Sequence, residues 1–404
     1  MTVTLVHSNP IALENGLLRV DRKFHLGMLR YAARLEQPVL SINPAARSGQ
    51  PIMDPVQLPL RDLPYEVMAI DTGPQGLPLA SERPRLQAQL ARSSVVYGGE
   101  LGVAELCRRL RVPYILILEY DLATQIAATT LQVAGRARRL ARSARCTWRH
   151  FTAEIPRIRA AHAVHCNGFP VHESSQRYNA NCLLYLDSRM SRELLIAPER
   201  LRARLADSAH RPLRLLYSGR YEPFKGALDV LRVAQSCIER GLDVELHCYG
   251  QGTLGEPMRR IAASRPDRLQ VHEAIPYPQL VELSRGFDLF VCCHVQNDPS
   301  CTYLEAMGAG LPIVGYDNAM WRSMCRVSRA GSCSPLGRPH AVAASIETLC
   351  RDRSLLADMS ERALRFARCH LFEAEFDRRI EAVGAVAGRG TRAAAAAAAP
   401  VTAP

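Results

Sequence analysis

Residues 288–316 read DLFVCCHVQNDPSCTYLEAMGAGLPIVGY and contain the pattern that decides the fold. An apolar run over 289–293 has the length of a buried strand, and a polar turn over 296–300 follows it. The spacing then predicts a helix over 301–309 that ends at Gly310, and a further apolar run predicts the next strand. A strand, loop, helix and strand in this order are the unit from which parallel sheets are built.

The start of the predicted helix has the features of an anion-binding site. Ser300 and Thr302 favour a helix N-terminus, whose free backbone N–H groups would face an anion. Glu305 lies about one turn inside the helix, so it can contact whatever the turn binds. The candidate phosphate-binding residues are therefore Pro299, Ser300, Cys301 and Thr302.

The same stretch resembles the donor-binding segment of retaining GT-B-type glycosyltransferases (glycosyl transferases group 1, family 4-like). That family carries two glutamates with seven residues between them, followed by Ala, a small residue and Gly-x-Pro. Glu305 and residues 310–312 match the second half, whereas Asn297 stands at the first glutamate. The resemblance implies that Glu305 binds the nucleotide ribose and that Asn297 contacts the transferred sugar. Asparagine keeps an acceptor oxygen but loses the charge, which Asp298 beside it can supply.

A second motif lies about eighty residues earlier, where 217–226 read YSGRYEPFKG. Gly219 permits close backbone approach, while Arg220 and Lys225 offer a guanidinium fork and a point charge to a diphosphate. In the family that the chain resembles, Gly-Arg and Lys-Gly at this place hold the donor diphosphate. An ordinary surface loop is the alternative, but the order of the two motifs favours a site. Gly250 resembles the family's glycine turn near the nucleotide, with a plain tight turn as the alternative. The predicted catalytic residues are Arg220, Lys225, Asn297 and Glu305.

Candidates in the N-terminal half are chosen by position. Asn15 and Gly16 stand where the family's first loop approaches the donor phosphate and the acceptor. Glu119 follows a predicted strand at 114–118, in a region where related enzymes hold a histidine that contacts the sugar. A surface glutamate at a strand end is the alternative. Further candidates for facing the cleft or an anionic acceptor are Lys23, His25, Asn167 and Gly168.

The domain organisation follows from length and from the alternation of strands and helices. A chain of 404 residues is too long for one ordinary core, and both halves repeat the alternating pattern. We therefore expect an α/β fold with two Rossmann-like domains that face a cleft. The predicted segments are an acceptor-side domain (1–195), a linker (196–211), a nucleotide-sugar-binding domain with a return helix (212–382) and a disordered alanine-rich tail (383–404).

Composition limits the class of protein. The hydrophobic content of 48% and charged content of 22% are typical of a soluble globular protein, and no apolar run is long enough to span a membrane. The first residues lack the pattern of a signal peptide. The 13 scattered cysteines include no Cys-x-x-Cys pair, which favours reduced thiols and a cytoplasmic location.

The net charge of +12 has a local origin, because six arginines fall within residues 136–149. Such a cluster predicts attraction to anionic lipid head groups at a membrane surface, with a solvated helix face as the alternative. Nucleic acid is not a predicted partner, because no recognised binding motif accompanies the arginines.

The resemblance implies a glycosyltransferase that moves a sugar from a UDP- or GDP-sugar to a lipid-linked or polysaccharide acceptor, with retention of configuration. A role in exopolysaccharide biosynthesis at the inner face of a membrane fits that expectation. No Asp-x-Asp motif is present, so neither a metal site nor a separate cofactor is predicted; cations would stabilise the departing diphosphate instead. Two alternatives stay open: a degenerate protein that binds a nucleotide sugar without transfer, motivated by Asn297, and a nucleotide-sugar epimerase.

Overall fold

The computed structural model describes residues 1–398 apart from Ser48, Met53 and Gln132. The strands of the N-terminal domain are β1 (Thr2–Val6), β2 (Ala12–Glu14), β3 (Leu17–Asp21), β4 (Val39–Pro44), β5 (Pro55–Pro59), β6 (Glu66–Ile70), β7 (Ser93–Tyr97), β8 (Tyr114–Leu118), β9 (Ala163–Asn167) and β10 (Cys182–Tyr185). Its helices are α1 (Arg22–Arg34), α2 (Arg83–Ala91), α3 (Val103–Leu110), α4 (Leu122–Thr130), α5 (Arg136–Arg149), α6 (Ile155–Ala160) and α7 (Phe169–Ser175). A π-helical turn, His150–Glu154, joins α5 to α6.

The strands of the C-terminal domain are β11 (Leu213–Ser218), β12 (Val244–Tyr249), β13 (Leu269–His272), β14 (Leu289–Cys292), β15 (Ile313–Tyr316) and β16 (Gly331–Ser334). The remaining helices are α8 (Pro198–Asp207), α9 (Ala227–Glu239), α10 (Gly255–Ala262), α11 (Tyr277–Ser284), α12 (Cys301–Gly308), α13 (Ala319–Ser328), α14 (Pro339–Arg351), α15 (Arg353–Cys369) and α16 (Phe372–Ala398).

Each domain is built on a parallel sheet whose strand order reverses once. The N-terminal order is β10-β9-β8-β7-β1-β4-β6, and the C-terminal order is β13-β12-β11-β14-β15-β16. The chain therefore builds outward from one central strand, then returns to its other side, as in the Rossmann fold. A crevice opens at the carboxyl ends of the two strands where the order reverses, which are β1 and β7 in one sheet and β11 and β14 in the other. The predicted fold of two Rossmann-like α/β domains is confirmed.

The segment predicted as a linker is a packed part of the C-terminal domain. It contains α8, in which Leu201 is buried against Ile196 and Leu364. Arg204 is also buried and donates hydrogen bonds to the carbonyl oxygens of Ala309 and Gly310, both at 2.7 Å. These bonds satisfy carbonyl groups at the end of α12, so α8 fixes the helix that carries the candidate donor residues.

The last helix, α16, crosses back to the N-terminal domain. Phe376, Ile380, Val383 and Val386 join the buried core that β1, β4 and β7 form on one side of their sheet. A Cβ atom on Gly27 of α1 would lie 2.5 Å from the ring of Phe376, so the glycine makes room for this side chain. The first half of α16 therefore covers one face of the N-terminal sheet.

The prediction of a disordered tail from 383 onward is wrong over its first residues. Val383, Val386 and Ala387 are helical and buried. Their spacing of three and four residues places them on one helix face. Alanine-rich sequence around them gives little contrast between the two faces, which hides this pattern. Residues 399–404 of the predicted tail lie outside the described residues.

Deleting residues 383–404 is expected to lower the melting temperature. The deletion removes Val383 and Val386 from the core, and full burial of a valine contributes about 1.5–3 kcal/mol. Deleting only 391–404 is the matched control, because it keeps every side chain of α16 that the structure describes as buried. Differential scanning fluorimetry should show a lower melting temperature for the first deletion alone. Equal melting temperatures would contradict the assigned role of this helix.

Candidate active site

The two predicted donor motifs meet at the crevice of the C-terminal sheet. The loop after β11 contains Lys225, and the loop after the adjacent strand β14 contains Asp298. Lys225 Nζ donates to Asp298 Oδ2 at 2.8 Å, and both side chains are buried. Lys225 of the motif at 217–226 and Asp298 of the motif at 288–316 therefore form a desolvated ion pair.

Two glycines let these loops approach each other. Gly226 has a φ of +61°, and a Cβ atom there would lie 1.9 Å from the carbonyl oxygen of Cys293. At Gly250 a Cβ atom would lie 1.9 Å from the carbonyl oxygen of Gly219. Both positions therefore require glycine because neighbouring loops pack closely there. For Gly250 this packing role is enough to explain the glycine, as the alternative of a plain tight turn would have it.

Arg220 lies exposed at the mouth of the crevice. Its guanidinium carbon is 4.8 Å from the centre of the Phe224 ring. Burial raises the pKa of Tyr120, as do the negative charges of Glu119 and Asp298, whereas Arg220 opposes that shift. Tyr120 therefore lies within electrostatic range of Asp298 and Arg220. Glu119 directly precedes Tyr120, and its contact with a sugar stays a prediction.

Glu305 projects from α12 into a polar contact with the chain that joins the domains. Its Oε1 atom accepts a hydrogen bond from Arg189 Nε at 2.9 Å and lies 2.8 Å from Arg189 Nη2 in the same ion pair. The guanidinium of Arg189 lies over the Tyr277 ring, with its carbon 4.1 Å from the ring centre. The carboxylate is thus held in place by a cation that the sequence analysis did not single out.

The predicted helix start is confirmed, with α12 beginning at Cys301. Ser300 is the N-cap residue, and its hydroxyl donates to Thr302 Oγ1 at 3.1 Å rather than capping a backbone N–H. Burial raises the pKa of the Cys301 thiol to about 12, so this side chain stays protonated at neutral pH. The first turn therefore carries neutral side chains beside its backbone N–H groups, as an anion site needs.

A chain of polar contacts joins this helix start to the N-terminal domain. Lys23 Nζ in α1 lies 2.5 Å from Asp187 Oδ2 and 3.6 Å from Cys301 Sγ. The backbone N–H of Asp187 donates to Asn167 Oδ1 at 3.1 Å. A Cβ atom on Gly168 would lie 3.4 Å from Pro299 Cβ. Lys23, Asn167 and Gly168 therefore all lie at the domain interface.

Asn297, at the position of the family's first glutamate, forms a hydrogen bond within the protein. Its Oδ1 atom accepts a hydrogen bond from the backbone N–H of Ala319 at 2.8 Å, at the start of α13. The oxygen that would contact a transferred sugar is therefore already bonded within the protein.

A cavity of about 660 Å³ opens in the N-terminal domain, where Phe376 and Arg379 of α16 complete its lining. Its lining includes Lys23, Glu119, Asn167 and Asp187, together with the loop at 7–9 that follows β1. Sequence reasoning missed this loop, although a polar residue directly after the first strand is the signal that identifies it. No sequence pattern marks Arg379 of α16, which lines the cavity although it is distant along the chain from the lining residues of the N-terminal domain.

Three N-terminal candidates have local structural roles away from the cavity. Asn15 and Gly16 form the exposed turn between β2 and β3, with φ angles of +52° and +77°. Asn-Gly is the preferred sequence of such a hairpin turn, so these residues serve the local strand pairing. His25 Nδ1 instead lies 2.7 Å from the hydroxyl of Tyr65. None of these residues lines the described cavity.

Comparisons with known proteins agree with this geometry. Residues 212–352 match the family model of glycosyl transferases group 1. The structure is similar to that of HepE from Anabaena in complex with UDP, at 14% identity over 94% of this chain and 98% of that chain, with a TM-score of 0.64. WaaG, a glycosyltransferase involved in lipopolysaccharide biosynthesis, gives 14% identity over 94% and 99%, with a TM-score of 0.60. Sucrose-phosphate synthase from Thermosynechococcus elongatus gives 16% identity over 98% and 100%, with a TM-score of 0.62. A search of curated proteins gives no match.

The protein therefore has the GT-B fold, and its match to the glycosyl transferases group 1 family lies within residues 212–352. The predicted enzyme class, a glycosyltransferase, is confirmed at the level of this match. Within the described part of the chain, no helix is both long and apolar enough to cross a membrane.

Replacing Lys225 alone is expected to destabilise the fold, because Asp298 would remain buried without its partner. Leaving one member of a buried ion pair unpaired costs about 3–5 kcal/mol. The double variant Lys225→Met/Asp298→Leu removes both charges and should recover most of that loss. Urea denaturation of the wild type, Lys225→Met and the double variant measures the difference. A double variant as unstable as the single one would show that the pair does not control stability.

Proposed function

We propose that this protein transfers a sugar from a UDP-sugar to an acceptor bound in the cavity of its N-terminal domain, with retention of configuration and without a metal. The observation that carries the proposal is the buried ion pair of Lys225 and Asp298, which joins the loops after β11 and β14 where the strand order of the C-terminal sheet reverses. Ligands of open α/β sheets bind in the crevice at such a reversal.

The donor would lie along the loops after β11 and β14. Arg220 and Lys225 supply cations for the diphosphate, and the first turn of α12 supplies backbone N–H groups. Glu305 would accept hydrogen bonds from the ribose hydroxyls, in competition with Arg189. Two observations support UDP over GDP as the nucleotide: HepE is described in complexes with UDP and with UDP-glucose, and both share this fold.

The proposed reaction forms a bond between an acceptor hydroxyl oxygen and the anomeric carbon, while the bond from that carbon to the diphosphate breaks. The hydroxyl proton passes to the departing phosphate oxygen, so UDP leaves with the bonding electron pair. Negative charge therefore grows on the diphosphate, where Arg220, Lys225 and the start of α12 stabilise it. Lys225 is fixed before the reaction by its ion pair with Asp298, and the backbone N–H groups are fixed by α12. Such preorganisation is what electrostatic stabilisation requires.

UDP is expected to raise the melting temperature of the wild type, because a ligand that binds only the folded state stabilises it. The double variant Lys225→Met/Asp298→Leu should lose this shift while remaining folded, since it lacks the cation without leaving a buried charge. Turnover of UDP-glucose or UDP-N-acetylglucosamine should fall about 10²–10³-fold with the loss of one preorganised charged contact.

Three results separate the rival functions. UDP release that depends on an added acceptor supports transfer. A changed nucleotide sugar formed without acceptor would indicate an epimerase, and UDP binding with no turnover would indicate a degenerate protein. An unaltered UDP shift in the double variant would contradict the donor site.

The acceptor proposal rests on the exposed face of α5. Leu140, Trp148 and Phe151 are 69%, 67% and 59% exposed and fall on one side of α5 and the π-helical turn. Arginines are exposed beside this apolar stripe: Arg136, Arg138, Arg139, Arg142, Arg145 and Arg149. An apolar face with Trp and Phe, flanked by cations, is typical of helices that lie in the interface of an anionic membrane.

This face adjoins the cavity. Glu154 ends the π-helical turn that follows α5, lines the cavity and accepts a hydrogen bond from Gln125 Nε2 at 2.8 Å. A membrane in contact with α5 would therefore lie beside the acceptor cavity. We propose on this basis peripheral association with the cytoplasmic face of a membrane and a lipid-linked or polysaccharide acceptor, as in exopolysaccharide biosynthesis. The described role of WaaG in lipopolysaccharide biosynthesis supports this substrate class.

Vesicles that contain 30% phosphatidylglycerol are expected to bind the protein, whereas vesicles of phosphatidylcholine alone should not. Each arginine near an anionic surface contributes about 1 kcal/mol, so replacing Arg138, Arg145 and Arg149 with Gln should weaken binding about 100-fold. Replacing Leu140 and Trp148 with Ser should also weaken it. The matched control is Val327→Ser, which removes an exposed apolar side chain from α13 of the other domain. Flotation that is equal for all variants would contradict this surface.

A further inference from the structure

Arg379 is a buried cation that projects into the cavity from α16. Its side chain lines the cavity, yet the residue is only 7% exposed. The faces of its guanidinium are covered by Phe376 and Tyr185, with ring centres 4.0 Å and 4.3 Å from the guanidinium carbon. Its Nε atom donates to the carbonyl oxygen of Glu375 at 3.1 Å.

The remaining edge of this guanidinium is incompletely bonded. The Nη2 atom is buried without a hydrogen-bond partner, and no carboxylate among the described residues forms a salt bridge with Arg379. The nearest interacting carboxylate, Asp187, is already engaged by Lys23 at 2.5 Å. A buried guanidinium with an unsatisfied donor is costly, so a ligand that pairs with it gains more there than at an exposed arginine.

A second orphaned polar atom lies in the same cavity. The Nε2 atom of His7, in the loop after β1, is buried without a partner. Burial, with a smaller contribution from Arg379, lowers the pKa of His7 to about 4, so the ring is neutral at physiological pH. A neutral imidazole can accept or donate one hydrogen bond, as contact with a sugar hydroxyl requires.

We infer that the acceptor carries an oxyanion, a carboxylate or a phosphate group, that Arg379 binds at the inner end of the cavity. This inference rests on the proposed function, because it concerns the acceptor of the same site. Arg379 offers a planar edge that matches two oxygens of either anion, and stacking on two rings fixes the orientation of that edge. His7 would bind a hydroxyl of the same sugar.

The other charges of the cavity restrict the anion to this end. The cavity is also lined by four carboxylates (Asp21, Glu119, Glu154 and Asp187) and by the cations Lys23 and Arg157, so the cavity as a whole is not cationic. Asp21 is occupied as the N-cap of α1, where its side chain accepts from the backbone N–H of Phe24. Lys23 is paired with Asp187, and Arg157 donates to the carbonyl oxygen of Gly99. An anionic group would therefore be attracted chiefly to Arg379, which has no carboxylate partner of its own among the described residues.

Binding of matched sugar probes tests the inference. The probes are D-glucuronate and α-D-glucose 1-phosphate as anions, with methyl α-D-glucoside as the neutral sugar and inorganic phosphate as the anion without a sugar. Dissociation constants from titration calorimetry should show at least tenfold tighter binding of one anionic sugar than of the glucoside. The probe that binds tighter tells a carboxylate acceptor from a phosphate acceptor, and preference for the sugar over inorganic phosphate supports acceptor recognition.

Arg379→Gln should reduce the ratio of the dissociation constants of the neutral and anionic probes to about one. Arg379→Lys, which keeps the charge without the fork, should keep a reduced preference for the anionic probe. The matched control is Asp377→Asn, which removes the ion pair of Asp377 with Arg30 and so loosens α16 outside the cavity. This control should keep the wild-type ratio. A wild type with no preference for either anionic sugar, an unchanged ratio in Arg379→Gln, or equal loss in Asp377→Asn would overturn the inference.

A UDP titration of each variant separates this result from the donor proposal. Arg379 lies outside the donor loops, so Arg379→Gln should bind UDP as the wild type does. Absence of UDP binding by the wild type would contradict the proposed function, whereas the ratio between anionic and neutral probes decides the role of Arg379 by itself.

Discussion

The carboxyl ends of parallel strands all lie at the same edge of their sheet. In this protein those edges of the two sheets border a common cleft. In each sheet the strand order reverses beside the first strand, so the loops on either side diverge and leave a crevice. The buried pair of Lys225 and Asp298 depends on this arrangement, because its members come from the loops of the two strands at the reversal. The same constraint places Glu305 one helix turn beyond the crevice.

The return of α16 to the N-terminal domain makes the two halves of the chain interdependent. Phe376 and Val383 complete the core beneath the first sheet, while Arg379 on the same helix reaches the cavity. One helix thus contributes both to stability and to the candidate acceptor site. A change of its packing would alter the cavity even if every residue of the N-terminal domain stayed in place.

Much of the fold and of the candidate donor site can be predicted from the sequence, because both depend on patterns within short stretches of the chain. Alternating strands and helices define the two domains, and the loops with Lys225 and Glu305 carry recognisable spacing. Asn15-Gly16 has a local role because the same dipeptide favours a hairpin turn, and that local preference determines its structure. The role of 383–387 was hidden because alanine gives weak contrast between buried and exposed helix faces.

The site residues that no sequence pattern revealed make contacts with residues far away along the chain. Arg189 bonds Glu305 across 116 positions, and Arg379 reaches a cavity that forms around strands near the other end of the chain. Such contacts follow from the way in which the domains assemble, and an isolated arginine gives no sign of them. His7 is the exception, since its place directly after the first strand of a parallel sheet marks it as a candidate ligand contact.

Hydrogen–deuterium exchange with and without UDP tests the central claim most directly. Exchange of backbone N–H groups slows where a ligand orders or covers the chain. The account predicts protection in 219–226 and in 298–305, with little change in the outer strands of either sheet. Protection confined to other segments, at a concentration of UDP that stabilises the protein, would contradict the assignment of this crevice as the donor site.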